Sequence, residues 1–170
     1  MDNIRIGRLR EERQIDPGKA EILLVEDDPH SVELILFSLA ERNLENRIYP
    51  AADGREGLSF IFGEGAFSSS RDVARPPVVV LLDVDLPNLN GLEFLSIIKS
   101  DERTRTIPIV MFTSSLSEER IKESYRLGAN SYVYKSADFT DFNNTLISTC
   151  HYWLFVNRLW TTDLSQDRCP

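Results

Sequence analysis

The chain has 170 residues, 42% of them hydrophobic and 27% charged, the composition of an ordinary globular domain with one real core. Its net charge of -8 excludes a general nucleic-acid binder, which needs clustered positive charge. No apolar run is long enough to cross a bilayer, and the charged start MDNIRIGRLREERQIDPGKA lacks the apolar core of a secretory signal, so a cytoplasmic protein without membrane contact is expected.

Residues 1–19 read as a mobile arm, with a short interaction helix as the alternative. EILLV (21–25) is a short apolar run that stops at acids, so it reads as a buried strand. Asp28-Pro29 then starts a helix, with Val32, Ile35, Leu36 and Leu39 at helical spacing. NRIYPAAD is a weaker strand, and GREGLSFIFGEG is a helix closed by glycine. Residues 65–77 are small, polar and proline-bearing, and predict a loop. VVVLLD (78–83) is the strongest strand in the chain. GLEFLSIIKS predicts a helix with Leu92, Leu95 and Ile98 or their neighbours facing the core. IPIVMFTSS is another buried strand and SEERIKESYRLGA a charged amphipathic helix. NSYVYK is a fifth strand. A long helix over 138–160 and a tail at 161–170 close the sequence.

Strand and helix thus alternate five times within residues 20–160. That order implies right-handed crossovers and an α/β fold, a doubly wound parallel sheet covered on both faces. In such sheets the active groups gather at the carboxyl ends of the strands. The first strand ends at Glu26, Asp27 and Asp28; the third at Asp83 and Asp85; the fourth at Thr113, Ser114 and Ser115; the fifth at Lys135. Taken singly, each has an ordinary structural role: Asp28 before Pro29 is a helix cap, Thr113 a strand threonine, Lys135 a surface lysine. Their joint placement on successive strand ends is what points to chemistry. Clustered carboxylates repel unless a cation or proton relieves them. Oxygen ligands in an incomplete cage suit Mg²⁺, which keeps waters and accepts a phosphoryl oxygen. A lysine and a hydroxyl can hold the remaining oxygens, and an aspartate among them can serve as an acyl-phosphate nucleophile. These residues leave open whether Asp83 or Asp85 is that aspartate.

The motifs ILLVEDDP, LLDVDLPNLNG, IVMFTSS and GANSYVYKS, in this order, closely resemble the receiver domain of two-component response regulators over about residues 20 to 155. The resemblance implies a flavodoxin-like (βα)5 sandwich with strand order 2-1-3-4-5. It assigns Asp83, with Pro87 and Gly91 behind it, as the phosphorylated residue. Glu26 and Asp27 would hold Mg²⁺ together with Asp83 and the backbone carbonyl of Asp85. Lys135 would pair with the phosphoryl group, Thr113 would hydrogen-bond to it, Ser114 would offer an amide nearby, and Tyr132 would report the state by swinging inward. The family usually has Asp where Glu26 stands, and proline after the lysine where Ser136 stands, so no cis bond is expected there.

The lysine-serine pair, the long loop before the third strand and the aromatic C-terminal extension resemble the stand-alone response regulators of bacterial and cyanobacterial phytochromes. That resemblance implies a sensor histidine kinase, a bacteriophytochrome, as phosphodonor. It also implies a homodimer. The final helix argues for one independently, because TLISTCHYWLFVNRLW is apolar more than halfway round and one stripe suffices to cover a sheet. Trp153, Phe155, Leu159 and Trp160 are the expected interface residues, with packing on the same chain as the alternative. His151 reads as a packing or half-exposed residue. Cys150 and Cys169 have no metal-ligand spacing and read as free thiols, a disulfide being the alternative.

Two other functions compete. LLDVDLP also looks like the Asp-x-Asp motif of haloacid-dehalogenase-type phosphatases, but there the motif usually opens the domain, whereas here an acidic pair precedes it. A phosphorylation-independent receiver that only binds partners is the third reading. No DNA-binding or catalytic output segment is recognisable after the final helix, so the expected output is a protein contact, a relay step or a change of oligomer.

Overall fold

The computed structural model describes residues 2–12 and 15–159. Five strands, β1 (Ile22–Val25), β2 (Ile48–Ala51), β3 (Val79–Leu82), β4 (Ile109–Thr113) and β5 (Ser131–Tyr134), form one parallel sheet in the order β2-β1-β3-β4-β5. The first four strands are buried along their whole length. That explains why they read as continuous apolar runs rather than alternating ones. Pro50 is tolerated in β2 because that strand lies at the sheet edge.

The helices are α1 (Asp2–Glu12), α2 (Pro29–Ala40), α3 (Gly54–Phe62), α4 (Gly91–Ser100), α5 (Glu118–Arg126) and α6 (Phe139–His151). Helices α2 and α6 pack together on one face of the sheet, and α3, α4 and α5 follow one another on the other. Local chemistry sets their ends. Asp28 caps α2 by accepting from the N–H groups of His30 and Ser31. Asn90 and Glu93 form a reciprocal capping box at α4. Gly63, at φ 65°, closes α3 in the left-handed region. The expected stripe of α2 is buried, as are Phe94, Leu95 and Ile98 of α4.

Two segments, the N-terminal residues and the final helix, differ from expectation. Residues 1–19 do not form a mobile arm where described: α1 packs on α2 and β2, with Ile6, Leu9 and Ile15 in the core. Arg10 explains part of this. Its Nη1 and Nη2 donate to both carboxylate oxygens of Glu56, its Nε donates to the Pro50 carbonyl at 2.7 Å, and its guanidinium lies over Tyr49. A charge-rich helix can hold only two or three apolar residues and still bury them, so the many charges around those residues hide the docking face from a reading of the sequence. The 65–77 loop is also anchored, through buried Phe67, whose ring packs edge-on to Tyr49 and Phe60.

The final helix is shorter than its pattern. Regular α-helix ends at His151, a wider π-turn covers Tyr152–Val156, and Asn157 is extended. Five successive apolar residues cannot share one α-helical stripe. The wider turn packs Trp153 and Leu154 against the core while Tyr152, Phe155 and Val156 stay exposed. His151 is exposed, with its ring 5.3 Å from that of Phe155. Cys150 is a buried free thiol. No helix among the described residues is long and apolar enough to cross a membrane.

Candidate functional site

The strand register brings the acids together. Val25 of β1 pairs with Leu82 of β3, so Glu26 and Asp83 leave the sheet side by side. Backbone bonds extend past the strand ends: Glu26 N–H donates to the Ala51 carbonyl, Asp83 N–H to that of Val25, and Lys135 N–H to that of Thr113. Carboxylate oxygens of Glu26, Asp27 and Asp83 lie within 4.8 Å of one another. Glu26 is 2% exposed and Asp83 9%.

Lys135 is the cation inside this cluster. Its Nζ bonds to Glu26 Oε2 and lies 3.5 Å from Asp83 Oδ1, with the Phe112 ring beneath it. Burial pushes the Glu26 carboxyl above its ordinary range, against the pull of Lys135. Burial likewise raises Asp27. Burial thus makes both carboxylates costly to keep charged unless a cation relieves them. Three hard carboxylates so close, with one ammonium between them, fit a small divalent cation. Asp28 does not join them. Burial acts upward on it too, but hydrogen bonds from His30 and Ser31 dominate and lower it, as befits a helix cap.

The β3–α4 loop holds Asp83 in place. Asp85 N–H donates to Asp83 Oδ2 at 3.3 Å, and Gly91 N–H to the Val84 carbonyl at 3.0 Å. A Cβ on Gly91 would stand 2.1 Å from the Asp83 carbonyl oxygen. Glycine at the start of α4 is therefore required by close approach to the acidic strand end. Thr113 is fully buried, and its Oγ1 accepts from Ser115 N–H at 3.3 Å. Half-buried Tyr132 donates its hydroxyl to the Ser115 carbonyl at 3.0 Å. Ser114 is exposed on the same loop. No cis peptide occurs among the described residues.

A model of the response regulator receiver domain matches residues 22–147. The chain belongs to that family. Receiver domains are signalling modules that bind Mg²⁺ or Mn²⁺ in such an acidic pocket, which sets the phosphatase reading aside. The response regulator Rcp1 of Synechocystis is 30% identical over 133 residues, covering 78% of this chain and 88% of that protein. The probable methanogenesis regulatory protein FilR2 of Methanothrix harundinacea is 37% identical, covering 81% and 85%. Among solved structures, the phosphorylated cyanobacterial phytochrome response regulator RcpA superposes with a TM-score of 0.74 at 32% identity, over 84% of this chain and 99% of that one. A Mn²⁺-bound Rcp1 gives 0.73 at 29%, over 82% and 97%. The bacteriophytochrome response regulator AtBRR gives 0.63 at 38%, over 81% and 96%.

One site feature had no sequence signal. It is Arg120 on α5, whose Nη1 donates to Asp85 Oδ2 at 2.6 Å across a separation of 35 residues. The side chain of Asp85 is thus held by an arginine at the wall of the site.

Proposed function

We propose that this chain is a cytoplasmic response regulator that takes a phosphoryl group on Asp83 from a sensor histidine kinase of the phytochrome type. The observation that carries the reading is the cluster of Glu26, Asp27 and Asp83 within 4.8 Å, bridged by Lys135. The phosphorylated state of RcpA and the Mn²⁺ in Rcp1 support it by similarity.

Glu26, Asp27, Asp83 and the Asp85 carbonyl are the proposed holders of Mg²⁺. When bound, that ion supplies the positive charge that lets an anionic donor approach an anionic nucleophile. An Asp83 carboxylate oxygen attacks the phosphorus of the donor phosphohistidine. The phosphorus–oxygen bond forms, the phosphorus–nitrogen bond breaks, and the imidazole nitrogen keeps the electron pair. Lys135 then exchanges part of its hold on Asp83 for a phosphoryl oxygen, and Thr113 offers its hydroxyl. Tyr132, tied to Ser115 beside Thr113, carries the change to the surface of α5, β5 and α6 as a shift between pre-existing states. The site catalyses its own phosphorylation and dephosphorylation and no other reaction.

The exposed side chains of Tyr152, Phe155 and Val156 after α6 support a homodimer. Of the interface residues expected from sequence, Phe155 is 53% exposed and Trp153 is partly packed on its own core. Leu159 is half-buried, and Trp160 lies outside the described residues.

Acetyl phosphate with Mg²⁺ tests both parts, read by intact mass and by light scattering before and after labelling. The expected result is one hydroxylamine-labile and base-labile phosphoryl group on the parent chain, none on Asp83→Asn, and a dimer mass. Equal labelling of Asp83→Asn refutes the nucleophile. An unlabelled parent chain leaves a partner-binding receiver that works without phosphorylation, and a monomer mass throughout refutes the dimer.

A further inference from the structure

The Asp85–Arg120 contact joins the β3–α4 loop to the first turn of α5. Arg120 does nothing there for the helix itself, since a cation in the first turn opposes the helix dipole. Its contact with Asp85 is solvent-facing, with the two side chains 39% and 56% exposed, so it is held weakly. Only Nη1 is engaged; Nε and Nη2 have no protein acceptor among the described residues. The side chain borders a cavity of about 470 Å³ whose walls also include Asp27, Asp85, Pro87 and Asn90. Asp83 and Tyr132 are close enough to act on its charge. A guanidinium with spare donors therefore stands at the wall of the acidic site, on a weak tether, and on a different element from the acids.

We propose that Arg120 is a phosphoryl-contacting residue of the Asp83 site, which leaves Asp85 for the oxygens of an anion bound at Asp83 and so couples the start of α5 to phosphorylation. The inference rests on the reading of Asp83 as phosphoacceptor. A phosphoryl group offers more charge and more acceptors than one exposed carboxylate, and the arginine fork matches it geometrically. Asp85 is then a competitor that parks Arg120 while the site is empty of phosphate. The first turn of α5, through Ser117 and the Arg120 backbone, moves with the side chain.

The competition has an opposite-sign signature. Beryllofluoride, a non-covalent phosphoryl mimic, is titrated at saturating Mg²⁺ against the parent chain, Arg120→Gln, Arg120→Lys, Asp85→Asn and the double variant Asp85→Asn/Arg120→Gln, read by fluorine NMR. Amide exchange of residues 117–121 is followed with and without the anion. Arg120→Gln is expected to weaken binding about tenfold and to abolish the added protection of residues 117–121, with Arg120→Lys between it and the parent. Asp85→Asn is expected to tighten binding, and to do so by more when Arg120 is present than when it is replaced, because only then does it also free the guanidinium. A purely structural ion pair makes both single substitutions act in the same direction. That result, or equal tightening by Asp85→Asn with and without Arg120, overturns the proposal. If the parent itself fails to bind the anion, the phosphoacceptor reading fails and this proposal with it.

Discussion

Ile6 offers a clean test of whether α1 belongs to the folded domain. It is 0% exposed, two residues after Ile4, which is 68% exposed on the same helix. Ile6→Ala removes three carbons from a closed site, at about 0.8 kcal/mol each, or about 2.4 kcal/mol of transfer energy. A residual cavity adds to this, and the better helix propensity of alanine returns a few tenths. The net expected loss is about 2–3 kcal/mol, which in a chain of this size lowers the melting temperature by about 4–12 °C. Ile4→Ala has the same propensity gain and almost nothing to lose, so it should stay within about 0.5 kcal/mol of the parent. Urea unfolding followed by far-UV circular dichroism, in EDTA so that no cation contributes, separates the two. Equal midpoints for Ile6→Ala and Ile4→Ala would mean that α1 does not dock in solution and that residues 1–19 are a mobile arm after all.

Gly91→Ala should destabilise the chain by about 1–3 kcal/mol, because the new methyl group meets the Asp83 backbone rather than a side chain that can yield; acetyl-phosphate labelling should fall with it, and unchanged labelling and midpoint would show that the loop relaxes freely. Cys150 is fully buried, and burial pushes its thiol up to about 12, so in a Cys169→Ser background it should stay unreacted with a disulfide reagent at pH 8 until urea unfolds the chain. Fast stoichiometric reaction of the native protein would contradict that burial.

How much of the fold is legible depends on how each element earns its place. Strands β1, β3 and β4 are buried along their length, so hydrophobicity alone marks them, and their spacing implies the helices between. Helix α1 holds its place by a few buried apolar residues and two arginines with partners remote in sequence, His30 and Glu33 for Arg5 and Pro50, Tyr49 and Glu56 for Arg10. Nothing within the first twenty residues states that those partners exist. The final helix errs the other way. Its apolar excess reads as one long surface, whereas the chain uses the excess to leave the α-helix and turn Trp153 and Leu154 inward.

The site divides along the same line. Glu26, Asp27, Asp83, Thr113 and Lys135 sit at strand ends, and a parallel sheet in register brings strand ends together whatever the loops do. Their convergence follows from topology. Arg120 sits on a helix, where its direction depends on which turn faces the cavity, and the charged pattern of α5 contains several residues of equal sequence merit. What singles it out is the partner it meets. Asp85, which the sequence marks as a candidate nucleophile and as a carbonyl ligand for Mg²⁺, is the residue that holds Arg120. In the proposed competition between Asp85 and a phosphoryl group, the two aspartates of LLDVDLP have different work: Asp83 takes the charge, and Asp85 sets how readily α5 responds to it.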